Sequence, residues 1–345
     1  MENQNNIFKK LLPVVLALVA LGIALLVYLF RFIVGHDLLI SPLGSSGTAS
    51  FSKILEKPLE KYTVLNLEKY PAKASEIVKE KVLLDDPQYT SYLISFQSDG
   101  KKVSGMMNVP VESPPVGGFP VIVMFRGYVD PTIYQTGVGT QRAAEVFAKN
   151  GLITFAPDFF GYGESAKQSE DIMEERFQTY TVALDALATI ANIEKADTGK
   201  VGIWTHSNGG QIALTILEAT QKEYPTTLWA PVSKPFPFSV LYYTDESQDR
   251  GKFLRREIAN FEKDYDTDLY SITDYFDRIS APIQLHQGSA DDAVPQKWSD
   301  ELAKILEKAK VEATYFTYPG ADHNLMPSWN TVVERDLQFF QKNFQ

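Results

Sequence analysis

From residue 89 onward the chain alternates short apolar runs with stretches of helical periodicity, and that alternation leaves few folds open. YTSYLISFQS (89–98) and KVSGMMNVP (102–110) flank Asp99-Gly100, a hairpin signal. FPVIVMF (119–125), GLITFAPD (151–158), KVGIWT (200–205), TTLWAPV (226–232), APIQLHQG (281–288) and EATYFTYP (312–319) read as further strands. Helix-like segments at 140–149, 171–192, 209–223 and 296–310 separate most of them; in 209–223, Ala213, Ile216, Leu217 and Thr220 recur at helical spacing. Such alternation predicts an α/β domain with a mostly parallel sheet and helices on both faces. In sheets of that kind ligands bind at the carboxyl ends of the strands.

Composition narrows the function. At 345 residues the chain can build one large core. A net charge of −10 argues against a nucleic-acid partner, because phosphate binding needs a basic face. The absence of cysteine excludes disulfides, thiolate metal sites and a cysteine nucleophile. No cofactor and no metal are expected.

The N-terminus carries a different signal. Between Lys10 and Arg31 lie twenty uncharged residues, about 30 Å as a helix, the thickness of a bilayer core. Fourteen of them are Leu, Val, Ile or Phe, which favours insertion by about 6 kcal/mol before Pro13 and Gly22 subtract. A cleaved signal peptide is normally shorter and followed closely by small residues, whereas RFIVGHDLLI follows here. The reading is an N-terminal transmembrane helix. Lys9, Lys10 and the terminal amine favour a cytoplasmic N-terminus, placing the body outside the cell membrane. Residues 1–35 then form tail and anchor, 36–50 a linker, 51–88 a helical extension and 89–345 the main domain.

Within that domain, IWTHSNGGQIAL (203–214) puts Ser207 directly after a strand and directly before a helix. A serine there can simply cap the helix. It can also be a nucleophile on the sharp strand–helix turn of a G-x-S-x-G elbow, which needs small residues on either side. Thr205 stands where glycine is usual; Gly209 and Gly210 follow. A nucleophilic serine needs a base and an acid, in the order Ser, Asp or Glu, His on this architecture. Of the four histidines, His36 lies beside the apolar segment, His206 adjoins the serine and His286 falls in a strand. His323, on a glycine-containing loop after the last strand, is the candidate base. Asp291 and Asp292, just past the strand ending at Gly288, are the candidate acids.

THSNGG, GSADDAVP and ADH near the C-terminus together resemble the catalytic domain of the prolyl oligopeptidase (S9) family of the α/β-hydrolase superfamily, over about residues 89–345. The resemblance implies the α/β-hydrolase fold and selects Asp291 as the acid, giving a Ser207–Asp291–His323 triad. It implies hydrolysis of short peptides through an acyl-enzyme; a carboxylesterase or lipase, or an inactive binding protein, are the alternatives. The oxyanion donors would be the backbone N–H groups of Asn208 and of Tyr128, in FRGYVDP after strand 119–125, although the family sometimes uses a tyrosine phenol instead. Arg126 replaces a histidine usual in relatives and either contacts substrate or has a structural role. PDFFGYGES (157–165) fits a loose dinucleotide pattern, but no long apolar helix follows it, and superfamily members carry a similar loop there.

Residues 233–280 contain ten aromatics, about a fifth of the segment against 12% overall. This predicts a small lid insertion, with Phe236, Tyr242 and Tyr243 as tentative substrate-binding residues. Longer family members carry a β-propeller, and the roughly 40 residues before the first strands are too few to encode one.

Overall fold

The computed structural model describes residues 57–345 apart from 245, 246 and 248; the apolar segment 11–30 and the linker lie outside the described residues. Among the described residues no helix is long and apolar enough to cross a membrane. Glu56–Gln345 forms one unit.

Nine strands make one sheet: β1 (Val78–Asp85), β2 (Tyr89–Ser98), β3 (Lys101–Pro110), β4 (Phe119–Phe125), β5 (Ile153–Pro157), β6 (Ala196–His206), β7 (Thr226–Trp229), β8 (Ile283–Gly288) and β9 (Ala313–Tyr318). Their order is β1-β2-β3-β5-β4-β6-β7-β8-β9. The first four strands of that order pair antiparallel, and β5 through β9 pair parallel. Eight helices accompany them among the described residues: α1 (Val64–Leu67), α2 (Gln141–Lys149), α3 (Ile172–Thr189), α4 (Asn208–Thr220), α5 (Phe238–Leu241), α6 (Lys252–Asp264), α7 (Gln296–Lys308) and α8 (Trp329–Asn343).

The central strands carry apolar residues on both sides because both faces are covered. In β4, Val121, Val123 and Phe125 pack into the larger core cluster, while Ile122 and Met124 pack into a second cluster with α2 and α8. The period of two thus divides one strand between two cores. The chain leaves β4 toward β5 on one side and reaches β6 on the other. The carboxyl ends of β4 and β6 therefore flank the crevice where the strand order reverses, the usual ligand position in open α/β sheets.

Two expectations change. Of the expected helical extension over 51–88, Pro58–Leu67 is largely helical, whereas Val78–Asp85 forms β1, which pairs antiparallel with β2 and makes the sheet's edge. VKEKVLLD is exposed at every position, so the strand is held by backbone pairing and its sequence lacks a buried alternating face. Segment 233–280, expected as a lid, puts four of its ten aromatics into the core. Phe236, Phe261, Tyr270 and Phe276 are all buried. Phe177 of α3 lies 5.0 Å from the Tyr270 ring and 5.2 Å from Phe236. Truncating such a fully buried phenylalanine to alanine costs about 3–5 kcal/mol.

Candidate active site

Ser207 occupies the turn between β6 and α4 with φ 54° and ψ −119°, a left-handed backbone that is strained for any residue with a side chain. The strain is held from three sides. The Ser207 N–H donates to the Trp229 carbonyl at 2.9 Å, and the Ser207 carbonyl accepts from Gly210 and Val232 N–H, each at 2.9 Å. Gly209 must lack a side chain, since a Cβ there would stand 2.0 Å from the Phe125 carbonyl oxygen. Thr205 fits where glycine is usual because it is fully buried and donates its hydroxyl to the Thr227 carbonyl at 3.2 Å. Ser207 makes no side-chain cap on α4, so the capping role is not what places it there.

Asp291 and His323 meet across the loops that follow β8 and β9. His323 Nδ1 lies 2.9 Å from Asp291 Oδ2 and 3.1 Å from Oδ1. The two loops are stitched together by Ser289 N–H to the Tyr318 carbonyl and Ala290 N–H to the Ala321 carbonyl, at 3.0 and 2.9 Å. Asp291 Oδ1 also accepts from the Ala293 and Val294 N–H groups, and Oδ2 from the Gln287 amide. Burial would raise this carboxyl, but the hydrogen bonds from His323 and the Val294 N–H outweigh it and hold the group below its ordinary value. Asp292 is exposed. Among the described residues no hydrogen bond joins Ser207 Oγ to His323.

His206 takes a part the sequence did not disclose. Its Nε2 lies 3.0 Å from the His323 carbonyl, and its ring centroid is 4.6 Å from that of His323. Burial and the neighbouring His323 push its pKa down to about 4, so it is neutral at pH 7 and Nε2–H is the donor. It supports the candidate base from beneath. His286 is fully buried, with Tyr318 Oη at 2.7 Å from Nδ1 and Asp336 Oδ1 at 3.0 Å from Nε2, a structural arrangement away from Ser207.

On the other side of Ser207 lies the loop after β4. A Cβ on Gly127 would come within 2.8 Å of Ser207 Cβ, so this loop runs directly against the nucleophile turn. The backbone N–H groups of Asn208 and Tyr128 find no acceptor among the described residues. That of Asn208 belongs to the first turn of α4, where N–H groups lack helical partners. The Tyr128 side chain is exposed. Arg126 is buried and engaged: it donates to the carbonyls of Gly127 and Asp158 at 2.8 and 3.0 Å, and it lies over the rings of Tyr134 and Tyr162 at 4.4 and 4.0 Å. It braces the loop. Asp158, from the loosely nucleotide-like motif, is buried and accepts from Ser104, Tyr134 and Thr136, each at 2.6 Å.

A cavity of about 340 Å³ opens from this loop and is walled by Tyr128, Asn208, Phe159, Phe160, Arg176 and Gln211 among others. Of the residues singled out in 233–280, Phe236 lies in the core, and Tyr242 and Tyr243 pack on Trp298 at 4.8 and 6.2 Å; none of the three lines the cavity. That segment contributes Val240 and Leu254 instead. Aromatic content marked a segment with something to bury, and four of its ten aromatics are buried in the core. Arg176 and Gln211 went unnoticed in the sequence because each sits within a helix, with no motif around it.

The sequence profile of the prolyl oligopeptidase family matches residues 139–345. Dipeptidyl peptidase family member 6 of Caenorhabditis elegans is 26% identical over 159 residues, which are 44% of this chain and 21% of that protein. The chain thus matches about a fifth of that relative's length. Among solved structures, acetyl xylan esterase from Paenibacillus sp. R4 superposes with a TM-score of 0.61 at 16% identity, covering 80% of this chain and 91% of that one. A Mycobacterium tuberculosis puromycin-hydrolyzing peptidase superposes at 0.59 and 19% identity, covering 76% and 41%. At these identities the superpositions establish the α/β-hydrolase fold, while the profile spans more than half of the chain. The chain belongs to the prolyl oligopeptidase family.

Proposed function

We propose that this protein cleaves short peptides or small acyl esters through an acyl-enzyme on Ser207. The observation that carries the reading is the Asp291–His323 pair, whose imidazole packs 4.6 Å from the ring of His206, the residue before a serine held at φ 54°. Asp291 fixes the imidazole with Nδ1–H toward itself, leaving Nε2 to accept a proton. As substrate enters, a side-chain rotation brings Ser207 Oγ to that nitrogen, a contact that commonly tightens only in the Michaelis complex. Oγ attacks the carbonyl carbon while its proton passes to His323. The oxygen gains negative charge between the Asn208 and Tyr128 N–H groups, an interaction worth about 3–4 kcal/mol per donor. Collapse breaks the bond to the leaving group, which takes the proton from His323; water then repeats the sequence and releases the acid.

Family membership supports a peptide substrate. The ester reading draws support from the acetyl xylan esterase, which this chain matches over 91% of its length. Rates on p-nitrophenyl esters and peptide p-nitroanilides separate the two. Ester turnover without anilide turnover ends the peptidase reading, and turnover of neither, with no covalent labelling of Ser207, favours a binding protein. We further propose that residues 11–30 anchor the enzyme in the cell membrane with its catalytic unit outside. A chain lacking residues 1–35 should then leave the membrane fraction, and retention there would overturn the anchor.

A further inference from the structure

Three buried nitrogens on side chains lining the cavity beside Asn208 have nothing to donate to among the described residues: Arg126 Nε and, on two residues joined to each other, Arg176 Nε and Gln211 Nε2. Arg176 Nη2 donates to Gln211 Oε1 at 2.7 Å, which fixes the Gln211 amide with its nitrogen as the free end. That nitrogen and Arg176 Nε are both buried, and neither has a partner among the described residues. Gln211 is only 1% exposed. Arg176 is on α3 and Gln211 one turn into α4, four residues beyond Ser207, so the donors come from two rigid elements beside the nucleophile.

Charge points the same way. No carboxylate of the described residues forms an ion pair with Arg176, and Arg126, the other guanidinium on this wall, is engaged by the Gly127 and Asp158 carbonyls and the Tyr134 and Tyr162 side chains. Glu175 is the one acidic side chain on the cavity wall among the described residues, and burial raises its carboxyl above the ordinary value. A half-buried guanidinium without a counter-charge is costly, and an anionic ligand recovers part of that cost. Two adjacent N–H donors, one of them charged, match the two oxygens of a carboxylate. A phosphate dianion would bring more charge and more acceptors than this pair can satisfy.

We propose that the cavity receives a carboxylate of the substrate, held by Arg176 and Gln211, so that the enzyme prefers substrates bearing a carboxylate a few atoms from the scissile carbonyl. The inference rests on the hydrolase reading and narrows its substrate class. The carboxylate can belong to the acyl part or to the leaving group, and two ester pairs distinguish them. The acyl arm compares mono-p-nitrophenyl glutarate with p-nitrophenyl valerate. The leaving-group arm compares the butyrate esters of 3-hydroxybenzoate and 3-hydroxybenzamide, each rate corrected for its uncatalysed reaction.

In one arm, kcat/KM should favour the carboxylate by about 10–100-fold, the range for a hydrogen-bonded charge. Arg176→Met should abolish that ratio, Gln211→Leu reduce it, and Arg176→Lys retain part of it. Ratios at or below one in both arms, or a ratio that Arg176→Met leaves intact, overturn the proposal. Neutral-ester turnover that Ser207→Ala abolishes upholds the hydrolase reading in either case. If no ester is turned over, glutarate is tested on Ser207→Ala by thermal shift. Stabilisation that Arg176→Met removes supports the site, and no stabilisation overturns it.

Discussion

Replacing Asp291 by asparagine changes one atom and tests the whole series of contacts. The carboxylate accepts from Ala293 and Val294 N–H on Oδ1, from the Gln287 amide on Oδ2, and from His323 Nδ1. An amide nitrogen at the Oδ1 position would face two backbone donors. Placed at the Oδ2 position it faces one, from Gln287, so the second orientation is preferred. The nitrogen then donates to His323 Nδ1, and the imidazole must carry its proton on Nε2. In that tautomer Nε2 cannot take the serine proton.

The expected loss in kcat is about 10³–10⁴-fold, or roughly 4–5.5 kcal/mol of barrier. Folding stability should fall by only about 1–3 kcal/mol, the worth of a hydrogen bond to a charged group. Rates on p-nitrophenyl butyrate, with the thermal midpoint as a control for folding, measure both. Asp292→Asn, at an exposed position, should keep at least half the wild-type rate. An Asp291→Asn enzyme above a tenth of wild-type kcat, or an equal loss in Asp292→Asn, would refute the assignment.

Three further outcomes follow from local geometry. Gly209→Ala places a methyl 2.0 Å from the Phe125 carbonyl oxygen, so the elbow must shift; ester turnover should drop at least about 100-fold, as for a displacement near 1 Å. His206 binds its proton less readily when folded, so the unfolded chain holds more protons between pH 6.5 and about 4. Stability from this group is present above that window and lost as pH falls through it, at most about 3 kcal/mol, and acid titration of thermal midpoints should show a slope that His206→Phe flattens. Glu218 is fully buried, neither carboxylate oxygen has a partner among the described residues, and burial raises its carboxyl well above the ordinary value. Its contribution is therefore lost as pH rises above the unfolded value, and Glu218→Leu should raise the thermal midpoint at pH 8 by a few degrees, whereas a lower midpoint would contradict the burial argument.

Local signals made much of this molecule readable. Fully apolar runs such as FPVIVMF identify strands covered on both faces, and the small residues around Ser207 identify a tight turn, because period and turn chemistry depend on near neighbours. Loop order then pointed to His323 and to Asp291 or Asp292, and the family resemblance selected Asp291. Other features depend on what the folded chain brings together. Strand β1 is exposed on both faces and lacks an apolar period. In α8, Trp329, Val332, Val333 and Phe340 are buried beside a charged residue, Asp336, whose partners Trp229, Gln284 and His286 lie on two different strands. The contact of His206 with the His323 carbonyl spans 117 positions. Arg176 reads as an ordinary helical arginine until Gln211, 35 positions away, is seen to hold it.

The central claim is that Ser207 is the activated nucleophile, and covalent labelling addresses it without knowledge of the natural substrate. A fluorophosphonate incubated with the purified protein should add one adduct per chain, located by peptide mass spectrometry on Ser207. Labelling should disappear in Ser207→Ala and slow by at least about 100-fold in His323→Ala. An unlabelled wild type, an adduct on another residue, or a Ser207→Ala protein that labels as readily would contradict the account.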